Sequence, residues 1–419
     1  MQSAMPTAPV APSSPPADWT SRSGLRIALV VACAHTLNDV YASFVPPLLP
    51  RIMGELGLSI TLAATLAVAF SVASSLPQPL FGYLSDRFGR RVFVVAGPIM
   101  SGVFVSLIGW APGFGALLAL LVIGGIGSAA FHPPGASYAV RVTEGKGGGA
   151  RYSLFAFFGS VGFAIGPIVA VGLAQTRGLE GMWVAMLPVL VAAPLVFFAL
   201  PSGRSEVRDA SRPPPPPPRE VLRHIRGPLG LIFGVSAIMA FVQRVFLTME
   251  PIIVADVGGS ETRGALILSV YLVAQSFGTI AGGVLADRMD RRILLAHLCF
   301  WAVPTHLFAV WVGPYGALGL AAAAAAGFLG MATLPPVVVM AQEMVPAGAG
   351  VSSGIVMGLA WATGSVGVLG TGALADVLGP VPATMLSVPM ALLGVAFALH
   401  PSLKDAAAAR PEALAALEA

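Results

Sequence analysis

Long apolar runs separated by short polar segments follow one another along almost the whole chain. A bilayer core about 30 Å thick is crossed by a helix of about 20 apolar residues. Twelve runs come close to that length, at 25–47, 61–84, 92–111, 114–136, 151–174, 182–200, 229–250, 264–286, 293–313, 316–341, 351–374 and 381–400. We number them spans 1 to 12. The pattern therefore predicts an all-α membrane protein with twelve transmembrane helices.

The composition supports a membrane protein and excludes several other classes. Of 419 residues, 56% are hydrophobic and only 10% are charged, whereas a soluble domain carries about 25% charged residues. A soluble enzyme, a nucleic-acid-binding protein and a disordered chain are excluded on this ground. The two cysteines, Cys33 and Cys299, lie inside apolar runs, so neither a disulfide framework nor a metal cluster is predicted. No metal and no cofactor is expected.

Polar segments divide the chain into five parts. They are a disordered cytoplasmic tail at 1–24, a six-helix bundle at 25–200, a linker at 201–227, a second six-helix bundle at 228–400 and a cytoplasmic tail at 401–419. The linker is rich in arginine and contains six consecutive prolines, Pro213–Pro218. A proline run is stiff and extended, so we interpret the linker as a connection between the bundles. Docking of a proline-binding partner is the alternative.

The basic residues are distributed very unequally between the two sides of the predicted spans. Segments on one side hold 19 of the 23 lysines and arginines, those on the other side hold three, and Arg244 lies inside a span. Lysine and arginine accumulate on the cytoplasmic side of a membrane protein. Both termini are therefore predicted to be cytoplasmic.

The two halves of the chain resemble each other. The segment Gly82–Arg91 (GYLSDRFGRR) recurs 201 residues later as Gly283–Arg292 (GVLADRMDRR). Two further matches follow in the same order, Pro133-Pro134 with Pro335-Pro336 and Gly159–Gly162 with Gly364–Gly367. Parallel repeats of six spans are a known plan of transporters, with the substrate site between the halves near the middle of the membrane.

The segment Gly82–Arg91 resembles the signature loop of the major facilitator superfamily, and the resemblance covers residues 25–400. It implies two helical bundles that rock around a central cavity lined mainly by spans 1, 4, 7 and 10. It also implies that the loop acts as a gate on the cytoplasmic side. By this resemblance the gating residues are Gly82, Asp86, Arg87 and Arg90, with Gly283, Asp287 and Arg288 in the second copy.

Two shorter stretches are similar to a narrower group, the fosmidomycin-resistance-type transporters. One is His35-Thr-Leu-Asn38-Asp39 followed by Pro46–Pro50, and the other is Phe131-His132-Pro133. A weaker match leads from Arg244-Val-Phe to Pro251. This resemblance implies a transporter of the bacterial inner membrane.

Ionisable residues inside a span cost several kcal/mol unless they are paired or hydrated, so each is a candidate for function. His35, Asn38 and Asp39 share one face of span 1 because they are three and four residues apart. His132 lies in span 4 before two prolines, and its ring is either a proton or substrate group or a partner for a carbonyl that the prolines free. For the face of span 1, a purely structural network is the alternative.

Arg244 is the one cation inside a predicted span. When the exit prolines Pro46 and Pro251 are aligned, Asp39 falls on Arg244, which predicts an acid and a base facing each other across the cavity. A guanidinium also suits binding of carboxylate, phosphate or phosphonate. The remaining candidates for substrate or proton binding are Gln243, Tyr271 and Gln275.

The favoured function is a secondary transporter that exports a small polar or anionic compound or drug, coupled to protons. The alternative is proton-linked uptake of an organic acid or a similar metabolite. An intramembrane protease or a primary pump lacks support, because no span carries paired aspartates or a His-Glu-x-x-His run and no phosphate-cradling loop is found. Expected partners are a small-molecule substrate, protons and the lipid bilayer, without nucleic acid, and a monomer is expected.

Overall fold

The computed structural model describes residues 22–141, 148–200, 224–345 and 349–408, and these residues are almost entirely helical. Most of the predicted N-terminal tail, the proline run Pro213–Pro218 and the end of the C-terminal tail lie outside the described residues. The first helix begins at Arg22, three residues inside the segment predicted as a tail. A short helix, Pro401–Ala408, occupies the start of the predicted C-terminal tail.

The N-terminal half consists of the helices predicted as spans 1 to 6. They are Arg22–Ala42 with Val45–Leu56, Ile60–Ser75 with Gln78–Phe88, Arg90–Ser106, Phe114–Arg141, Gly148–Arg177 and Met186–Ala199. Spans 1 and 2 are each interrupted where a proline follows, because proline fits the first turn of a new helix but donates no hydrogen bond to the preceding one.

The C-terminal half repeats this arrangement with spans 7 to 12. They are Pro228–Asp256, Glu261–Ala286, Arg291–Val312, Gly316–Ala332 with Leu334–Met344, Ala349–Gly354 with Ala360–Leu378, and Pro380–Ser387 with Ala391–Ala398. Span 11 contains a π-helical turn, Ile355–Leu359. Such turns interrupt the regular hydrogen-bond ladder, and Ser236 of span 7 donates to the Val356 carbonyl within this turn.

Eleven helices among the described residues are long and apolar enough to cross a bilayer. They correspond to eleven of the twelve predicted spans. The exception is span 3, which has only 17 residues as an α-helix and is extended by the short turn Ile108–Trp110. Span 3 packs along span 4 and also contacts spans 1 and 6 of its own half. The fold is the predicted all-α arrangement of two helical bundles.

Glycines at equivalent places allow equivalent helix contacts in the two halves. A Cβ atom added to Gly82 would lie 3.6 Å from the Cβ of Pro133, and one added to Gly283 would lie 3.8 Å from that of Pro335. Gly162 of span 5 lies against the backbone of span 1, and Gly364 of span 11 lies against the backbone of span 7. Small residues permit this close approach of helices. The repeated glycines therefore explain why both halves pack alike.

The two halves meet mainly through spans 2 and 11, spans 5 and 8, and spans 1 and 7. We call the end of the molecule that carries the segments Gly82–Arg91 and Gly283–Arg292 the motif end, and the opposite end the closed end. At the closed end Arg51 bonds Glu261 and Asp376 bonds the backbone at Thr61. Polar contacts between the halves therefore concentrate at the closed end.

Candidate functional site

The carboxylate of Asp39 is the centre of a polar cluster between spans 1 and 4. The Nε2 atom of His35 lies 3.2 Å from one carboxylate oxygen, and the Nε2 atom of His132 lies 3.4 Å from the other. Asn38 donates to Asp39 at 2.9 Å and to the hydroxyl of Ser128 at 3.2 Å. Spacing along span 1 brings three of these residues together, and helix packing adds His132 and Ser128 from span 4.

Both histidine rings are fixed by carbonyl groups on the side away from Asp39. The Nδ1 atom of His35 lies 2.9 Å from the carbonyl oxygen of Phe155, and that of His132 lies 2.8 Å from the carbonyl oxygen of Ser128. The ring of His35 also stacks on Phe155, with centroids 4.1 Å apart. Because a carbonyl only accepts, each Nδ1 carries hydrogen, and each Nε2 is directed at the carboxylate.

Asp39 is not an isolated buried charge, because the side chain remains 14% exposed and His132 is 30% exposed. Asp39 and His132 therefore keep some exposed surface while most of the cluster is buried. His35 and Asn38 are buried, so they hold the carboxylate from behind. This arrangement can exchange protons with water and keep the carboxylate in place.

Arg244 of span 7 occupies a pocket formed by both halves. The pocket is lined by helices of spans 1, 2, 7 and 11, and its polar side chains are Ser71, Arg244, Thr248 and Ser365. The Nε atom of Arg244 is buried without a hydrogen-bond partner, and the guanidinium carbon lies 5.7 Å from the ring centre of Trp361. A guanidinium with a free donor beside an aromatic ring is suited to an anionic group.

The direct pairing of Asp39 with Arg244 that the sequence suggests is not present in this arrangement. Both carboxylate oxygens of Asp39 face histidines of its own half. Alignment of the exit prolines predicts that Asp39 and Arg244 lie at the same depth in the membrane. It does not predict how far each helix is rotated about its axis. The two groups are still linked spatially, because Ala42, three residues after Asp39, lines the Arg244 pocket.

The other candidates in the C-terminal half lie in spans 7 and 8. Tyr271 is fully buried, and its hydroxyl lies 3.1 Å from the Nε2 atom of His306. Gln243 donates weakly to the sulfur of Met331, and Gln275 is buried. Gln243 borders a second small pocket beside Trp361. Of this group, Gln243 is therefore the one placed at a cavity.

At the motif end, the first signature loop is held by a local ion pair. The Arg90 guanidinium lies 2.6 Å from the carboxylate of Asp86, and the neighbouring Arg91 lies 3.6 Å over the ring of Phe197. Gly89 separates the two helices with a positive φ of 97°, a conformation that glycine adopts without strain. Arg87 lies over Phe88.

The second copy is built differently around the same backbone. Arg291, the counterpart of Arg90, contacts both carboxylate oxygens of Glu343 in span 10 at 2.9 and 2.8 Å. Asp290 replaces Gly89 and accepts from the first amides of span 9. Asp287 and Arg288 form the end of span 8. Gly82 and Asp86 of the first copy thus have identical counterparts in Gly283 and Asp287, whereas Arg90 and Arg291 bind different partners.

Several residues of the site were not found from the sequence. They are Ser71, Ser128, Phe155, Thr248, Trp361 and Ser365. Ser128 was detectable, since it precedes His132 by one helical turn and its carbonyl must lie near that ring. Thr248 was detectable in the same way, since it follows Arg244 by one helical turn, whereas the remaining four residues come from helices whose rotation only packing decides.

Three side chains of the cluster also form a possible metal-ligand set. The ligand atoms of His35, Asp39 and His132 all lie within 4.8 Å of one another, and both Nδ1 atoms already have carbonyl partners of the kind found behind metal-bound histidines. The sequence predicts no metal, and that prediction stays untested.

Comparison with known proteins identifies the class to which this fold belongs. The sequence pattern of the Major Facilitator Superfamily matches residues 31–249 and 232–417, which together cover most of the chain. The chain belongs to the major facilitator superfamily, a family of transporters rather than enzymes. It is therefore an integral membrane transport protein with the predicted two-bundle fold.

Named relatives are similar over nearly their whole length. The MFS-type transporter YfnC of Bacillus subtilis is 26% identical over 384 residues, which are 90% of this chain and 93% of YfnC. The Fosmidomycin resistance protein of Escherichia coli is 25% identical over 366 residues, which are 85% and 88% of the two chains. The resemblance to that group is thus confirmed.

Solved structures share the fold at low identity. A bacterial homologue of the lysosomal transporter Spinster, in an inward-facing and unoccupied conformation, superposes with a TM-score of 0.74 at 16% identity and covers 93% of this chain and 99% of its own. The xylose transporter XylE of E. coli gives 0.70 at 15% identity, covering 90% and 97%. These likenesses establish the architecture alone.

Proposed function

We propose that this chain is a secondary active transporter of the bacterial inner membrane that exports a small polar or anionic compound or drug in exchange for protons. The observation that carries the proposal is the meeting of two imidazole Nε2 atoms on the single, partly exposed carboxylate of Asp39. The names of relatives support export, because they include a fosmidomycin resistance protein and the multidrug resistance protein MdtG.

Proton binding follows from the hydrogen positions in the cluster. With Nδ1 of His35 and His132 occupied by hydrogen, a neutral ring presents a lone pair at Nε2, and the carboxylate also presents lone pairs. Each contact between Nε2 and Asp39 is therefore attractive only when one proton is shared in it. We infer that loss of these protons weakens the contacts and releases the carboxylate.

Exchange requires that substrate and protons exclude each other. A substrate with an anionic end on Arg244 and a hydrogen-bond donor on Asp39 meets this condition, because its donor and the protons compete for the same carboxylate. Protons from outside then displace substrate, and their departure on the cytoplasmic side restores binding. A substrate that contacts Arg244 alone binds better when the cluster is protonated, because the added positive charge attracts an anion.

Uptake of an organic acid together with protons is the second candidate function. It corresponds to a substrate that contacts Arg244 alone and binds better when the cluster is protonated. The position of Arg244 at the pocket shared by both halves favours an anionic ligand in either direction. The pH dependence of binding distinguishes the two functions, since acid weakens substrate binding in exchange and strengthens it in joint transport. A growth test with candidate acids after deletion of the gene checks uptake in the cell.

The experiment begins with a thermal-stability screen of the purified protein over phosphonates, organic acids and common drugs. A ligand of the folded state raises the melting temperature. Flux of the hit is then measured in proteoliposomes with a pH gradient, for the wild type, Asp39→Asn and the control Glu55→Gln. Glu55 is exposed near the end of span 1. Gradient-driven flux is expected to vanish only in Asp39→Asn, and unchanged flux there rules out Asp39 as the coupling group.

We place the motif end and both termini in the cytoplasm on the distribution of basic residues. In that orientation Gly82, Asp86, Arg87 and Arg90, with Gly283, Asp287 and Arg288, form the cytoplasmic gate. The Asp86–Arg90 pair is available to exchange partners when the motif end closes, because the Asp86 side chain is 59% exposed. A monomer is the expected functional unit.

A further inference from the structure

The carboxylate of Asp376, near the end of span 11, caps a helix that belongs to the other half. One oxygen accepts from the backbone amide of Ile60 at 2.7 Å, and the other accepts from the amide and the hydroxyl of Thr61 at 3.2 and 2.5 Å. Ile60 and Thr61 begin the helix of span 2. The first amides of a helix have no partner within it and carry partial positive charge, so a carboxylate from outside stabilises them.

Gly372, one helical turn before Asp376, lets the two helices approach closely enough for this contact. A Cβ atom added at Gly372 would lie 3.1 Å from the Cβ of Ala64 and 3.1 Å from the Cα of Thr61. Any larger side chain would push span 11 away from span 2. A Cβ atom added at Gly370, two residues earlier, would have no atom within 4 Å. The close contact is therefore specific to Gly372.

A second polar contact joins the halves at the same end through other helices. Arg51 of span 1 donates to both carboxylate oxygens of Glu261 in span 8, at 2.9 and 2.7 Å, and to the carbonyl oxygen of Ala174 in span 5 at 3.1 Å. These groups are about a quarter exposed. Next to the Arg51–Glu261 contact, Gln175 of span 5 bonds Thr262 of span 8 at 3.0 Å. Of these contacts between the halves, only that of Asp376 uses backbone amides.

We propose that Gly372 and Asp376 are positioning residues of the transport cycle, which hold the closed end shut by capping span 2 across the interface between the halves. The inference uses the alternating access of the proposed function but not its proton coupling. Two of the three donors to Asp376 are backbone amides, and no substitution in span 2 short of proline removes these two. Opening of this end has to replace the carboxylate by water at Ile60 and Thr61.

The test measures access to the interior from the closed end. Val68, which is buried and lines the pocket of Arg244, is replaced by cysteine in a background with Cys33→Ser and Cys299→Ala. Right-side-out membrane vesicles are treated with a charged, impermeant maleimide, and the labelling rate is compared between the unmodified background, Asp376→Ala, Gly372→Leu and Gly370→Leu. Melting temperatures are recorded in parallel to show that each variant is folded.

Labelling is expected to rise roughly three- to thirty-fold in Asp376→Ala, the range that follows from loss of a helix-capping side chain, and also to rise in Gly372→Leu. It should stay at the background rate in Gly370→Leu. If Gly372→Leu does not fold, Asp376→Ala decides. An unchanged rate in folded Asp376→Ala, or an equal rise in the Gly370→Leu control, overturns the proposal. The labelling assay needs no substrate. Its result therefore does not depend on whether Asp39 couples transport to protons.

Discussion

The substitution Gly159→Ala tests whether the His35 ring is held in one position by packing. Gly159 of span 5 lies directly against this ring, and an added methyl group would overlap it. The ring is fixed by its stacking on Phe155, by the Phe155 carbonyl and by Asp39. The methyl group must therefore displace the imidazole and weaken its contact with Asp39, although no polar group is removed.

The expected loss of stability is judged against Gly172→Ala in the same span, where the added carbon has no atom within 4 Å. Both substitutions gain up to about 1 kcal/mol of helix stability, and only Gly159→Ala carries an overpacking cost of about 1–3 kcal/mol. The unfolding free energies of the two variants should thus differ by about 1–3 kcal/mol, with Gly159→Ala the less stable.

The assay combines thermal unfolding in detergent with gradient-driven flux in proteoliposomes. Gly172→Ala should transport like the wild type, whereas Gly159→Ala should lose much of its proton coupling because His35 no longer meets Asp39. Equal stability and equal flux of the two variants would refute the conclusion that the packing of span 5 against span 1 positions His35.

Further predictions concern contacts away from Asp39. Tyr271→Phe should lower the unfolding free energy by about 1–3 kcal/mol because the Nε2 atom of His306 loses its partner, and retained flux would show that Tyr271 is structural. Arg291→Gln should cost about 1 kcal/mol by breaking the partly buried contact with Glu343, and a double-mutant cycle with Glu343→Gln measures the pair. Gly282→Val should separate spans 8 and 10 at a cost of about 1–3 kcal/mol, since the added carbon falls on a backbone carbonyl of span 10, and melting temperature checks it.

The bundles were predictable because the bilayer imposes a length and an apolar composition on each spanning helix. Span 3 is a regular helix of 17 residues, and the turn Ile108–Trp110 extends it further along the predicted run. The breaks in spans 1, 2 and 10 lie where a proline occupies the first turn of the second segment. Proline alone does not decide an interruption, however, because Pro133 and Pro134 lie inside the continuous helix of span 4.

The candidate site was predictable in part. The face of span 1 that carries His35, Asn38 and Asp39 follows from helical periodicity alone, and the presence of a cation at Arg244 follows from its position inside an apolar run. The partners of Asp39 did not follow, because they depend on which face of span 4 is turned towards span 1. The sequence suggested Arg244, and the packing supplied His132 instead.

By itself, the sequence determined that the chain spans a membrane, that its halves repeat and that charged groups lie within the spans. These properties depend on local periodicity and on the cost of burying charge. Only the tertiary structure decided that Asp39 meets two histidines, that Arg244 lies in a pocket shared by both halves and that Asp376 caps a helix 316 residues earlier in the chain. Such contacts depend on the rotation and approach of whole helices, which small residues at distant positions control together.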